Sequence, residues 1–157
     1  MPTQTRAAAQ SRRVPPKTEP PEPRAALLDN LEGIEDEDNI LVIGQDGPDL
    51  MCALMRAGAA QVTHLRAHDR PEADSASLAI VPHVPSIDWL SNALPAIRRA
   101  LHANGRLVLS LAAQPITADL LRRVLHLHGF TAVGSRRARG SQVLTAELPA
   151  FGLRRYA

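Results

Sequence analysis

The stretch Asn39-Ile40-Leu41-Val42-Ile43-Gly44-Gln45-Asp46-Gly47-Pro48 decides how the chain is read. Four consecutive aliphatics, bounded by an acidic turn on one side and Gly44 on the other, are the pattern of a short strand buried on both faces. Gly44-Gln45-Asp46-Gly47 then supplies a turn, and Pro48 suits a first helical position. Leu50, Ala53, Leu54 and Ala57 follow as one apolar stripe that Gly58 ends. Strand, glycine turn and helix come in that order. Gln61-Val62-Thr63-His64-Leu65 reads as a second strand, and a crossover helix between the two makes them parallel.

Working outward toward the C-terminus, residues 66–77 have neither a helical nor a strand period, and Leu78-Ala79-Ile80-Val81 is another short buried strand closed by Pro82 and Pro85. Leu90, Leu94, Ile97 and Leu101 mark a helix face stopped by Asn104-Gly105, and Arg106-Leu107-Val108-Leu109-Ser110-Leu111 is the next strand. Thr117 is placed to cap a helix with apolar positions Leu120, Leu121, Val124 and Leu125, ending at Gly129. Phe130-Thr131-Ala132-Val133 and Gln142-Val143-Leu144-Thr145-Ala146 are two further strands, joined as an antiparallel hairpin by a basic loop from Gly134 to Gly140. Alternating strands and helices imply an α/β fold with a doubly wound, mainly parallel sheet. Such sheets place ligand sites beyond the carboxyl ends of their central strands.

Toward the N-terminus, Leu27, Leu28, Leu31 and Ile34 recur at helical spacing. Residues 1–25 hold six of the 13 prolines and almost no large apolar residue, so they read as a disordered tail. The expected organisation is a tail over 1–25, one domain over 26–149 and a short basic tail over 150–157.

Composition excludes several classes. Trp89, Phe130, Phe151 and Tyr156 are the only aromatics, so the core must be aliphatic and no stacking platform for bases exists. Cys52 stands alone and no apolar run is long enough for a membrane span, which removes disulfide scaffolds, zinc ribbons and transmembrane helices. A cytoplasmic location is expected. The acid-free first thirteen residues faintly resemble an organellar presequence, but prolines interrupt any amphipathic helix there.

Asp88-Trp89, the run Ala96-Ile97-Arg98-Arg99-Ala100-Leu101-His102-Ala103-Asn104-Gly105-Arg106-Leu107-Val108-Leu109-Ser110, and Leu127-His128-Gly129-Phe130 carry a resemblance. Together with the order of elements over roughly residues 24–148, they resemble the class I S-adenosylmethionine-dependent methyltransferases. The branch they look most like contains the malonyl-carrier-protein methyltransferases. These phrases belong to the scaffold and perform no chemistry.

The resemblance implies an acid-x-Gly-x-Gly-x-Gly phrase at the end of the first strand, where glycines let the backbone approach the cofactor. Only Gly44 falls in register: Val42 stands in place of the acid, and Asp46 and Pro48 in place of two glycines. Asp46 and Asp49 already match the dipole at a helix N-terminus, so a cofactor carboxylate would meet repulsion there. At the end of the second strand the family uses an acid to accept the ribose hydroxyls, and the matching residue is Arg66. An arginine has five donors and no acceptor, so it can hold a phosphate but cannot replace that carboxylate. Asp69 is the nearby carboxylate. Only 12 residues separate Leu65 from Leu78, too few for the family's helix, third strand and adenine-binding turn. That edge strand is therefore expected to be missing.

If S-adenosylmethionine binds, the resemblance places it over Gly44, Gln45 and Gly47 with Asp69 near the ribose, and the acceptor near His83 and Asp88, with His83 available as a base. Trp89 belongs either at that mouth or on the core. His64 and His68 do not share a helical face, and His126 and His128 point apart, so no metal site is expected. Cys52 lacks a paired histidine in a recognisable signature, so an inert helix cysteine is expected.

Residues 120–157 carry seven arginines against Glu147 alone, including Arg136, Arg137, Arg139, Arg154 and Arg155. This side could meet an acidic protein surface, a nucleic-acid backbone, or only solvent. The six carboxylates of 29–38 could face it within the fold or on another copy. Loss of the third strand would also leave the second strand open to pairing with a second copy. The leading expectation is a degenerate methyltransferase-like domain acting as a binding or accessory module. The alternatives are an active small methyltransferase and an arginine-rich nucleic-acid binder.

Overall fold

The aliphatic run after the acidic turn forms strand β1, Asn39–Ile43, buried from Ile40 onward. The computed structural model describes residues 27, 31, 38–45, 47–111, 116–138 and 140–150. The tails over 1–25 and 151–157, Leu28, Ile34, Asp46, Arg139, Arg154 and Arg155 lie outside them. Helix α1 spans Gly47–Arg56, with Asp49 in its first turn and Arg56 in its last, each matched to the helix dipole. Strand β2 is Gln61–Leu65, β3 is Ala76–Val81 and α2 is Ile87–Ala100. Strand β4 is Leu101–Leu111, α3 is Ala118–Leu127, and β5, Thr131–Ala138, precedes β6, Ser141–Glu147.

The six strands lie in the order β2-β1-β3-β4-β6-β5. β1 pairs parallel with β2 and β3, β3 pairs parallel with β4, and β6 joins β4 and β5 antiparallel. This is the expected doubly wound sheet with a C-terminal hairpin. β2 is an edge, because residues 66–75 contain no strand that could pair with it. That segment instead crosses back to β3 with Pro71 buried, its end held by Asp74 and Ser75 N–H donating to the carbonyls of Arg99 and Ala100 at 3.0 and 2.8 Å.

Two aliphatic clusters cover the two faces. One gathers Leu27, Ile40, Val42, Leu50, Leu54, Leu78, Ile80, Val108 and Val143 beneath α1. Leu31 packs on it and donates its N–H to Leu27 at 3.1 Å, a helical bond within the stretch read as helical. The other, larger cluster joins Leu41, Ala79 and Leu107 of the sheet to Leu90, Leu94 and Ile97 of α2, Leu121 and Leu125 of α3, and Phe130. Alternation along each strand divides its residues between these clusters, as a sheet covered on both sides requires. Helices α2 and α3 each have a hydroxyl cap: Ser86 accepts from Trp89 N–H at 3.1 Å, and Thr117, as expected, from Leu120 N–H at 3.3 Å.

Three expectations are corrected. The α2 stripe does not extend to Asn104-Gly105: the chain turns extended at Leu101, which pairs with Ala76, and Asn104 takes a left-handed turn within β4 (φ 64°) while its N–H bonds Leu148. The presumed basic loop from Gly134 to Gly140 is mostly strand, because Arg136 and Arg137 pair with Val143 and Gln142. Edge pairing spends backbone groups and leaves charged side chains exposed, so basic residues are no obstacle to it. Leu120 is not a core position; it is 44% exposed, one helical step away from the stripe through Leu121, Val124 and Leu125.

Candidate functional site

The carboxyl ends of β1, β2 and β3 open onto a cleft of about 720 Å³. Its lining is Gly44, Gln45 and Pro48 after β1, His64, Arg66, Ala67 and His68 at the end of β2, and His83, Pro85 and Trp89 after β3. This is where a doubly wound sheet places a ligand. A second cleft, about 420 Å³, runs along β2, lined by Gln61, Thr63 and Leu65 together with the start of β1 and the 70–76 segment.

Gly44 forms the floor of the first cleft. Its φ of 132° is a conformation reserved for glycine, and both of its backbone groups are taken by β2. The Gly44 N–H donates to the Leu65 carbonyl at 3.3 Å, and the His64 ring Nε2–H donates to the Gly44 carbonyl at 2.5 Å. The same imidazole lies directly over Gly47, so that any Cβ at Gly47 would overlap the ring. Gly47 is thus a glycine that makes room for His64. Val42, where the family's acid would stand, is fully buried in the aliphatic cluster under α1.

The sequence-derived site residues divide between those that line the cleft and those that do not. Gly44, Gln45, His83 and Trp89 line it; Gly47, Asp69 and Asp88 do not. Asp69 is exposed and closes its own turn: its carboxylate accepts the Arg66 N–H at 2.8 Å while its N–H donates back to the Arg66 carbonyl at 3.0 Å. That turn turns Asp69 back on its own backbone and leaves Arg66 at the wall. Trp89 unites its two expected places, for it lines the cleft and also packs against the larger core cluster. His64 was missed as a site residue because its role depends on Gly47, seventeen positions upstream and one strand away.

Chemically, the cleft is rich in nitrogen groups. Arg66, a fixed cation, lines it with His64, His68 and His83, and none of its described lining residues is a carboxylate. Among the described residues, no group of three or more His, Cys, Asp or Glu side chains is placed to hold a metal ion. Cys52 is exposed on α1 and is not part of the cleft. His126, away from this site, has its Nδ1 3.0 Å from the Phe130 carbonyl at the end of α3.

No family model matches the sequence, and no curated protein does. Solved structures do match. The Burkholderia thailandensis 1,6-didemethyltoxoflavin-N1-methyltransferase, solved with 1,6-didemethyltoxoflavin and S-adenosylhomocysteine, superposes with a TM-score of 0.69 at 16% identity, covering 84% of this chain and 80% of its own. PigF with S-adenosylhomocysteine gives 0.61 at 14% identity over 79% of this chain and 54% of its own. The antibiotic-resistance methyltransferase Kmr gives 0.57 at 16% identity over 80% and 93%. The chain has a class I methyltransferase-like fold, in a shortened form. Among the described residues, no helix is long and apolar enough to cross a membrane.

Proposed function

We propose that this chain is a methyltransferase-fold domain that has kept the scaffold and given up efficient use of S-adenosylmethionine, and that it works as a binding or accessory module. The observation that carries this reading is the wall of the cleft at the end of β2. There the family's cofactor requires an acceptor for two ribose hydroxyls, and the wall offers Arg66, a group with no acceptor. Three features support it. Val42 is sealed in the core, the Gly44 backbone groups are both taken by β2, and residues 66–75 provide no third strand to wall an adenine pocket. Isothermal titration of the full chain with S-adenosylhomocysteine tests it. No heat and no thermal shift at millimolar concentration is the expected result, and micromolar binding overturns it.

The preserved cleft beside Gly44 and His83 favours one second reading, a small active methyltransferase with its cofactor over Gly44 and Gln45 and its acceptor near His83 and Asp88. Proximity and orientation would then supply most of the catalysis. Methyl transfer from labelled cofactor, lost in a Gly44→Val variant, would establish it.

As a module, the domain has two surfaces to offer. Arg136 and Arg137 stand exposed on the edge strand β5, suited to an acidic partner, and the other edge, β2, is available to a second copy of the chain. A concentration-dependent dimer in light scattering, abolished by Thr63→Pro on β2, is the expected result for that second surface.

A further inference from the structure

We propose that the cleft over Gly44 is a binding site for a small phosphomonoester whose organic part is flat and apolar. The inference rests on the reading that S-adenosylmethionine is not the ligand of this cleft, and it names the chemistry that replaces it.

Charge supplies the first argument. Arg66 holds a fixed positive charge, and the His68 and His83 rings each carry an N–H that can donate to an anion, with none of the described lining residues a carboxylate to oppose them. A fixed charge in a concave site focuses potential and attracts its counter-ion. Donor availability is the second. Neither the Arg66 guanidinium nor the rings of His68 and His83 has a hydrogen-bond or ion-pair partner among the described residues, and Asp69 engages the Arg66 backbone instead. The His64 Nε2–H is spent on the Gly44 carbonyl, so this ring shapes the cleft and does not count among the donors offered to a ligand.

Shape selects phosphate. A carboxylate has two oxygens in one plane, which a single arginine fork saturates. A phosphomonoester presents three terminal oxygens in a tetrahedral array, suited to a bidentate arginine together with imidazole donors. Here Arg66 and His68 come from the end of β2 and His83 from the loop after β3. The organic part is set by Trp89, Pro48 and Pro85, which bring an indole and two pyrrolidine rings to the lining, and about 720 Å³ is room for a small-molecule ligand.

Trp89 is the only tryptophan in the chain, so its fluorescence reports on this cleft. The full-length protein is titrated with phenyl phosphate, with inorganic phosphate and with S-adenosylhomocysteine. Phenyl phosphate is expected to change Trp89 emission saturably, inorganic phosphate to compete with it more weakly, and S-adenosylhomocysteine to be silent. Arg66→Gln is expected to weaken phenyl phosphate about tenfold, with an unchanged melting temperature because Arg66 is exposed. His68→Gln, also at an exposed position, is an independent second variant expected to weaken it by a smaller factor. Absence of a saturable change with phenyl phosphate overturns the inference, as does binding that neither substitution affects. If all three compounds are silent, this inference fails while the accessory reading stands. Micromolar S-adenosylhomocysteine binding overturns both.

Discussion

The two halves of the sheet have met different constraints. On the β4-β6-β5 side, α2 and α3 bury Leu90, Leu94, Ile97, Leu121, Leu125 and Phe130 against the strands, and the elements follow one another as the family scaffold does. On the β2-β1 side, residues 66–75 form neither helix nor strand, and the open end of the sheet is lined by Arg66 and three histidines. On the function proposed above, packing has been retained in one half and ligand chemistry changed in the other. The difference would then teach that a scaffold outlasts its site: an edge strand can be lost without opening the core, whereas a pocket loses affinity with one wall.

The contrast is broken most severely in the packed half. Phe130→Ala empties a fully buried position between α3 and the sheet and is expected to cost about 3–5 kcal/mol, read as a lowered urea midpoint or loss of the cooperative transition. Where α1 meets β2, Gly47→Val drives a branched side chain into His64 and should cost about 1–3 kcal/mol, with a good part recovered in the double variant carrying His64→Ala. A double-mutant cycle in urea measures that coupling, and strict additivity would show that His64 and Gly47 are not packed together.

Smaller effects sharpen it. Thr117→Ala removes the cap of α3 and should lower stability by about 1 kcal/mol, visible as a shift of a few degrees in thermal melting. Arg66→Gln lies at the other extreme, within about 0.5 kcal/mol of the parent, because its exposed side chain has no partner among the described residues. A pronounced loss of stability in Arg66→Gln would move that residue from the binding wall into the structural half of the comparison.

Much of this was legible in the chain. The Ile40–Ile43 run, the Leu90-Leu94-Ile97 stripe and the Thr117 cap each report a local preference, and each formed the expected element. Twelve residues between Leu65 and Leu78 left no room for another strand with its helix, so the edge position of β2 followed from length. The site was less legible. Gly44 and His83 could be found from their places after strands, but sequence gives proximity along the chain and not which residues meet in space, so it did not show that Gly47 lies against His64 or that Asp69 stands outside the cleft lining.

Periodicity, turn residues and segment length are properties of neighbours in the chain, and they determined the α/β order, the parallel core and the missing edge strand. Other features depend on which atoms meet across elements: His64 of β2 seated on Gly47 of α1, and Arg136 and Arg137 drawn into a strand. Those meetings are set by register and pleat, which bring residues twenty or more positions apart within hydrogen-bond reach, as with His64 and Gly44. Only the tertiary structure could decide them.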